Sequence, residues 1–130
     1  MDALRVLIVD DEDELVSALE ERLTLRGFDA KGVSTGAEAL AYLVDGPCDV
    51  VLLDVKMPGL GGLEVMKRIK EKRPSPQVIL LTGHSSAQDA EKGMTLGAFD
   101  YLMKPIKIEE LVRVLRAAGA RREAESPGGG

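Results

Sequence analysis

Cysteine, histidine and large aromatic residues are nearly missing from this sequence, which holds one Cys, one His, two Phe, two Tyr and no Trp. Cys48 has no partner for an internal disulfide or a thiolate metal site, and no His or Cys cluster suggests zinc, so the chain fits a reducing cytoplasm. Cys48 itself reads as a buried or loop thiol. With only four aromatics the core must be aliphatic, and the composition argues against a stacking platform for nucleic-acid bases. An excess of basic charge is also lacking: 17 basic against 22 acidic residues give a net charge of −5, which favours solubility over direct nucleic-acid binding. Long apolar runs are missing as well. The first, Val6 to Val9, is too short for a signal peptide or a membrane span and ends in Asp10-Asp11-Glu12-Asp13.

What remains is a mixed, 45% apolar chain of 130 residues, enough for one domain with a two-sided core. Short β-branched runs alternate with longer stretches of helical period, the pattern of βα units wound around a parallel sheet. The expected strands are Arg5–Asp10, Asp29–Val33, Val50–Asp54, Gln77–Thr82 and Phe99–Met103. The first, third and fourth are apolar throughout, as strands covered on both faces must be, and form the centre; the polar second strand belongs at an edge. Leu15, Leu19 and Leu23 mark the first helix, and Leu111, Leu115 and Ala118 the last. Thr35 to Glu38 and Ser85 to Gln88 have capping-box spacing. A third helix is expected from near Leu63, after Gly61-Gly62, to a stop before Pro74. Apolar periodicity fades at Arg121, so residues 1–121 read as the domain and 122–130 as a disordered tail or linker stub. Met57, Met66, Met94 and Met103 read as gap-fillers in the core.

Open parallel sheets bind ligands beyond the carboxyl ends of their strands, so the residues ending each strand carry the functional signal. Here they are Asp10 and Asp11, Asp54, Thr82, and Lys104 followed by Pro105. Singly, each carboxylate reads as a helix cap or a solvated helix start. Together they repel: unit charges ~4 Å apart cost about 4 kcal/mol at an effective dielectric near 20, so the cluster needs a cation or a raised pKa. Oxygen-only ligands point to Mg²⁺. A carboxylate set between a cation, a hydroxyl and an ammonium is poised to attack phosphorus, and Asp54 is the central candidate. If the Lys104-Pro105 peptide is cis, it fixes how the lysine leaves the fifth strand.

Four motifs occur in order at these strand ends: Val9-Asp10-Asp11, Leu52-Leu53-Asp54-Val55-Lys56-Met57-Pro58-Gly59 with Gly61-Gly62, Leu81-Thr82-Gly83, and Gly97 to Pro105. Over roughly residues 4 to 118 the chain resembles the receiver domains of two-component response regulators. The resemblance implies a doubly wound α/β fold of CheY-like, flavodoxin-like type, with five parallel strands in order 2-1-3-4-5 and five helices. It implies that Asp54 accepts a phosphoryl group, that Asp11 and Asp54 bind Mg²⁺ directly and Asp10 largely through water, and that the Lys56 carbonyl completes the ligands. Thr82 would bond the phosphoryl group, Lys104 would pair with it, and Tyr101 would be the rotameric switch that reshapes the face of helix four, strand five and helix five. The donor would be a sensor histidine kinase or phosphotransfer protein, or a small acyl phosphate; the output would be an unknown protein target, without an enzymatic activity toward other substrates. Lys56 is expected to shield the phosphoryl group from water, whereas His84 reads as an exposed loop residue.

Three other readings share parts of this pattern. A haloacid-dehalogenase phosphatase would want an Asp two residues after its nucleophile, where Lys56 stands. A flavin carrier would want a Ser/Thr/Gly-rich loop after strand one, where the sequence is acidic. A degenerate receiver would lack part of the set, yet all five site side chains are present. With no helix-turn-helix or basic patch after residue 121, the chain is expected either to dock on a partner or to be cut from a longer regulator.

Overall fold

The computed structural model describes residues 3–57, 59–72, 75–83 and 87–124. Its elements alternate strictly: β1 Arg5–Val9, α1 Asp13–Leu25, β2 Asp29–Val33, α2 Gly36–Asp45, β3 Val50–Asp54, α3 Gly62–Lys70, β4 Gln77–Thr82, α4 Ala87–Thr95, β5 Asp100–Met103 and α5 Ile108–Ala124. All strand pairs are parallel, in the order β2-β1-β3-β4-β5. The expected strands fall in place, with β1 and β5 each one residue shorter at an end.

The period-2 geometry of a strand sorts each apolar run onto two faces. Val6 and Ile8 of β1, Val50 and Leu52 of β3, and Ile79 and Leu81 of β4 face α1 and α5, where Leu19, Leu23, Leu111 and Leu115 meet them. Leu7, Val9, Val51, Leu53, Val78 and Leu80 face the opposite layer, against Leu43, Val65, Met66 and Ile69. This is why Val6 to Val9, Val50 to Leu53 and Val78 to Leu81 carry no polar residue.

Helix starts follow from local chemistry. Thr35 Oγ1 accepts from Glu38 N at 3.1 Å and donates to Glu38 Oε1, which also accepts from Ser34 Oγ. Those hydroxyl donors hold the Glu38 carboxyl below its ordinary range. The cap expected at Ser85 and the loop residue His84 lie outside the described residues. At the far end, α5 continues to Ala124, past the loss of apolar periodicity. Arg121 and Arg122 favour the carboxyl end of a helix dipole, and Arg121 lies 5.7 Å from the Phe99 ring centre.

Cys48 is buried, its Sγ 3.3 Å from the Val50 carbonyl, and burial pushes its pKa up to about 12, so it packs as an apolar residue. The methionine expectation needs correction. Met57 and Met66 are buried, but Met94 and Met103 are 37% and 41% exposed. Met103 ends β5, the edge strand of the sheet, and Met94 lies in the last turn of α4, whose buried residues are Ala90 and Gly93.

Candidate functional site

The three central strands place their last residues at one rim, and the polar side chains there are held by backbone rather than by chance. Asp10 follows β1 and is fully buried, with its Oδ1 accepting from Glu12 N at 2.9 Å. Asp54 ends β3 and is 6% exposed, with its Oδ1 accepting from Lys56 N at 3.1 Å. Asp11 beside them is exposed. One oxygen from each of Asp10, Asp11 and Asp54 can be chosen so that all three lie within 4.8 Å of one another.

Gly62 keeps this rim compact. Its N–H donates to the Val55 carbonyl at 3.2 Å, and a Cβ there would stand 2.4 Å from the Asp54 carbonyl oxygen and 2.7 Å from that of Val55. Only a residue without a side chain lets α3 start so close to the acceptor strand.

Lys104 leaves β5 through a cis Lys104-Pro105 peptide. Its Nζ lies 2.8 Å from Asp10 Oδ2, 3.0 Å from Glu12 Oε1 and 3.7 Å from Asp54 Oδ2. The contact with Asp10 is an ion pair without an aligned hydrogen bond, so this buried Oδ2 keeps an unmet acceptor. Burial pulls the Lys104 ammonium down, but its close pairing with the Asp10 and Glu12 carboxylates more than offsets this and holds it above the usual lysine range. Burial first, then the neighbouring Asp10 charge, raise Asp54 to about 6 against the opposing pull of Lys104. One ammonium for three clustered carboxylates leaves a negative pocket with an orphaned oxygen, and that donor set fits a hard divalent cation such as Mg²⁺.

Thr82 ends β4 almost fully buried, its hydroxyl donating to the Gly83 carbonyl at 3.1 Å. Tyr101, on β5, points outward and is 44% exposed. It lines an open cavity of about 460 Å³, with Met103, Ile106, Lys107 and Arg113 among the other walls. Asp10, Asp11, Asp54, Thr82 and Lys104 therefore share the rim, Lys56 joins it by its backbone, and Tyr101 stands away on the outer face. Glu12 belongs to the group too. Sequence reasoning passed over it because an acidic run at a helix start hides one member among several.

A doubly wound parallel sheet with acidic residues, a threonine and a lysine at its carboxyl rim defines the class, and comparison with known proteins gives the family. The family model for the response regulator receiver domain matches residues 6–116, and the chain belongs to that family. It is 40% identical over 118 residues to the uncharacterized transcriptional regulatory protein YkoG of Bacillus subtilis, covering 91% of this chain and 52% of that protein. With the transcriptional regulatory protein CpxR of Klebsiella pneumoniae it shares 42% identity over 113 residues, 87% of this chain and 48% of the other. The chain thus spans about half the length of these two relatives. Among solved structures, a response regulator receiver domain protein from Clostridium thermocellum superposes with a TM-score of 0.88 at 31% identity, covering 94% of this chain and 98% of that one. A CheY-like receiver domain protein from Methanospirillum hungatei gives 0.89 at 26% identity, covering 96% and 100%. Among the described residues no helix is long and apolar enough to cross a membrane.

Proposed function

We propose that this chain is a Mg²⁺-dependent phosphoacceptor of a two-component phosphorelay, taking its phosphoryl group on Asp54. The observation that carries this reading is the setting of Asp54: a buried carboxylate clustered with Asp10 and Asp11 and facing the Lys104 ammonium at 3.7 Å. Asp10, Asp11, Asp54 and the Lys56 backbone carbonyl are the groups that would hold the metal. When bound, Mg²⁺ supplies the positive charge that lets an anionic donor approach an acidic pocket and polarises the transferring phosphoryl oxygens.

The chain's own residues do the rest. An ionised Asp54 oxygen attacks phosphorus. A new O–P bond forms as the donor's N–P bond, in a phosphohistidine, or O–P bond, in an acyl phosphate, breaks with its electron pair leaving on the donor. Lys104 pairs with the new anion, and the Thr82 hydroxyl turns from the Gly83 carbonyl to donate to it. Tyr101 then moves inward toward the space Thr82 leaves, and the face of α4, β5 and α5 changes shape for a protein partner. The donor is a sensor histidine kinase or phosphotransfer protein in the cytoplasm. The receiver runs through α5 to Ala124, three residues past the boundary expected from the sequence, and the output lies in the partner or in a further domain of a longer regulator. Incubation with Mg²⁺ and acetyl phosphate tests the reading: intact mass should gain one phosphoryl group, and Asp54→Asn or EDTA should abolish it. An adduct indifferent to both would overturn it.

A further inference from the structure

We propose that Glu12 is a positioning residue that holds the Lys104 ammonium away from Asp54 until a phosphoryl group competes for it. This deepens, and rests on, the phosphoacceptor reading above. Two features of Glu12 carry it. First, it occupies the N-cap of α1 in extended conformation, yet its side chain makes no cap hydrogen bond. Second, that side chain instead reaches a residue 92 positions away, its Oε1 accepting from Lys104 Nζ at 3.0 Å. The backbone makes the reach reproducible, because Glu12 N is fixed to Asp10 Oδ1 at 2.9 Å.

The consequence is a geometric competition. Lys104 sits close to Asp10 and Glu12 but 3.7 Å from Asp54. Asp10 is fully buried and cannot follow the ammonium, whereas the Glu12 side chain is 60% exposed and can be left to water. Moving Lys104 onto a phosphoryl oxygen therefore breaks the Glu12 contact at modest cost, and Glu12 lowers the affinity of the site for a phosphoryl anion by about the worth of one half-exposed ion pair.

Beryllofluoride, a phosphoryl mimic, tests this by titration with Mg²⁺ on the full chain and on Glu12→Gln, Glu12→Asp and Asp13→Asn. Aspartate keeps the charge but is one methylene too short for Lys104 and is drawn to the free helix N–H groups. Both Glu12 variants are expected to bind beryllofluoride about two- to fivefold more tightly, from an exposed pair worth up to about 1 kcal/mol. Asp13→Asn, which removes a neighbouring charge without touching Lys104, should change binding less, and Glu12→Asp should leave Mg²⁺ affinity alone. Tightening by Gln and Asn but not by Asp would make the effect one of general field and overturn the proposal, as would no tightening in either Glu12 variant. If the unsubstituted chain binds beryllofluoride while the Glu12 variants match it, only the role of Glu12 fails. No binding by the unsubstituted chain removes the phosphoacceptor reading and this inference with it.

Discussion

Lys104 Nζ stands 3.7 Å from Asp54 Oδ2, too far for a hydrogen bond, while the same ammonium touches Asp10 Oδ2 at 2.8 Å. The cation that should neutralise Asp54 is held mainly by its neighbours, so Lys104 offsets only part of the repulsion among the carboxylates.

That repulsion has a pH signature. Asp54 is raised to about 6 by burial and by Asp10, so the folded state binds its proton more tightly than the unfolded state does. Stability must then rise as pH falls through about 6 and level off below the unfolded carboxylate value near 4. Asp54→Asn is expected to stabilise the metal-free protein at pH 7.5 by about 1–2 kcal/mol, discounted for the solvent-facing side of the site, and the gain should vanish near pH 4. Urea unfolding at both pH values measures it. Mg²⁺ should raise the Tm of the unsubstituted chain more than that of Asp54→Asn.

Arg5 and Asp49 have the opposite sign. Burial raises Asp49, but hydrogen bonds from the Arg5 backbone and guanidinium outweigh it and leave the carboxyl below its ordinary range. A lowered carboxyl stabilises the fold above its unfolded pKa and loses that contribution as pH falls through the lower folded value. Asp49→Asn should cost about 1–2 kcal/mol at pH 7, with the difference narrowing as pH drops below about 4. Chemical denaturation across that window checks the direction.

Gly62→Ala places a methyl group 2.4 Å from the Asp54 carbonyl oxygen, which as backbone cannot step aside. The expected loss is about 1–3 kcal/mol, as for other overpacked sites. The same Ala at Gly61, where a Cβ meets nothing within 4 Å, should be nearly neutral.

Lys56 is exposed, with its N–H on Asp54 Oδ1. Its side chain is expected to hinder water at the acyl phosphate, so Lys56→Ala should shorten the phosphate lifetime several-fold, roughly the 1 kcal/mol scale of a partly exposed contact. An unchanged decay by phosphate release contradicts the shielding.

The fold was legible because burial on both sides leaves no choice at Val6 to Val9, Val50 to Leu53 and Val78 to Leu81, and the first polar residue after each run marks the rim. Thr35 announced its helix through Glu38. Other features left no local mark. Helix α5 runs to Ala124 although Arg121 and Arg122 break its apolar periodicity, with Arg121 lying over Phe99. Met94 and Met103 are as apolar as Met66, and only their places in the tertiary structure leave them exposed. Glu12 was invisible among five consecutive acids, because its partner Lys104 is set by tertiary geometry alone.

The central claim is that Asp54 itself carries the phosphoryl group. Borohydride reduces an acyl phosphate to the alcohol, so treating the Mg²⁺- and acetyl-phosphate-exposed chain and mapping its peptides should reveal homoserine in place of Asp54 and nowhere else. Homoserine at Asp10 or Asp11, or a stable adduct on another residue with Asp54 untouched, would contradict the account.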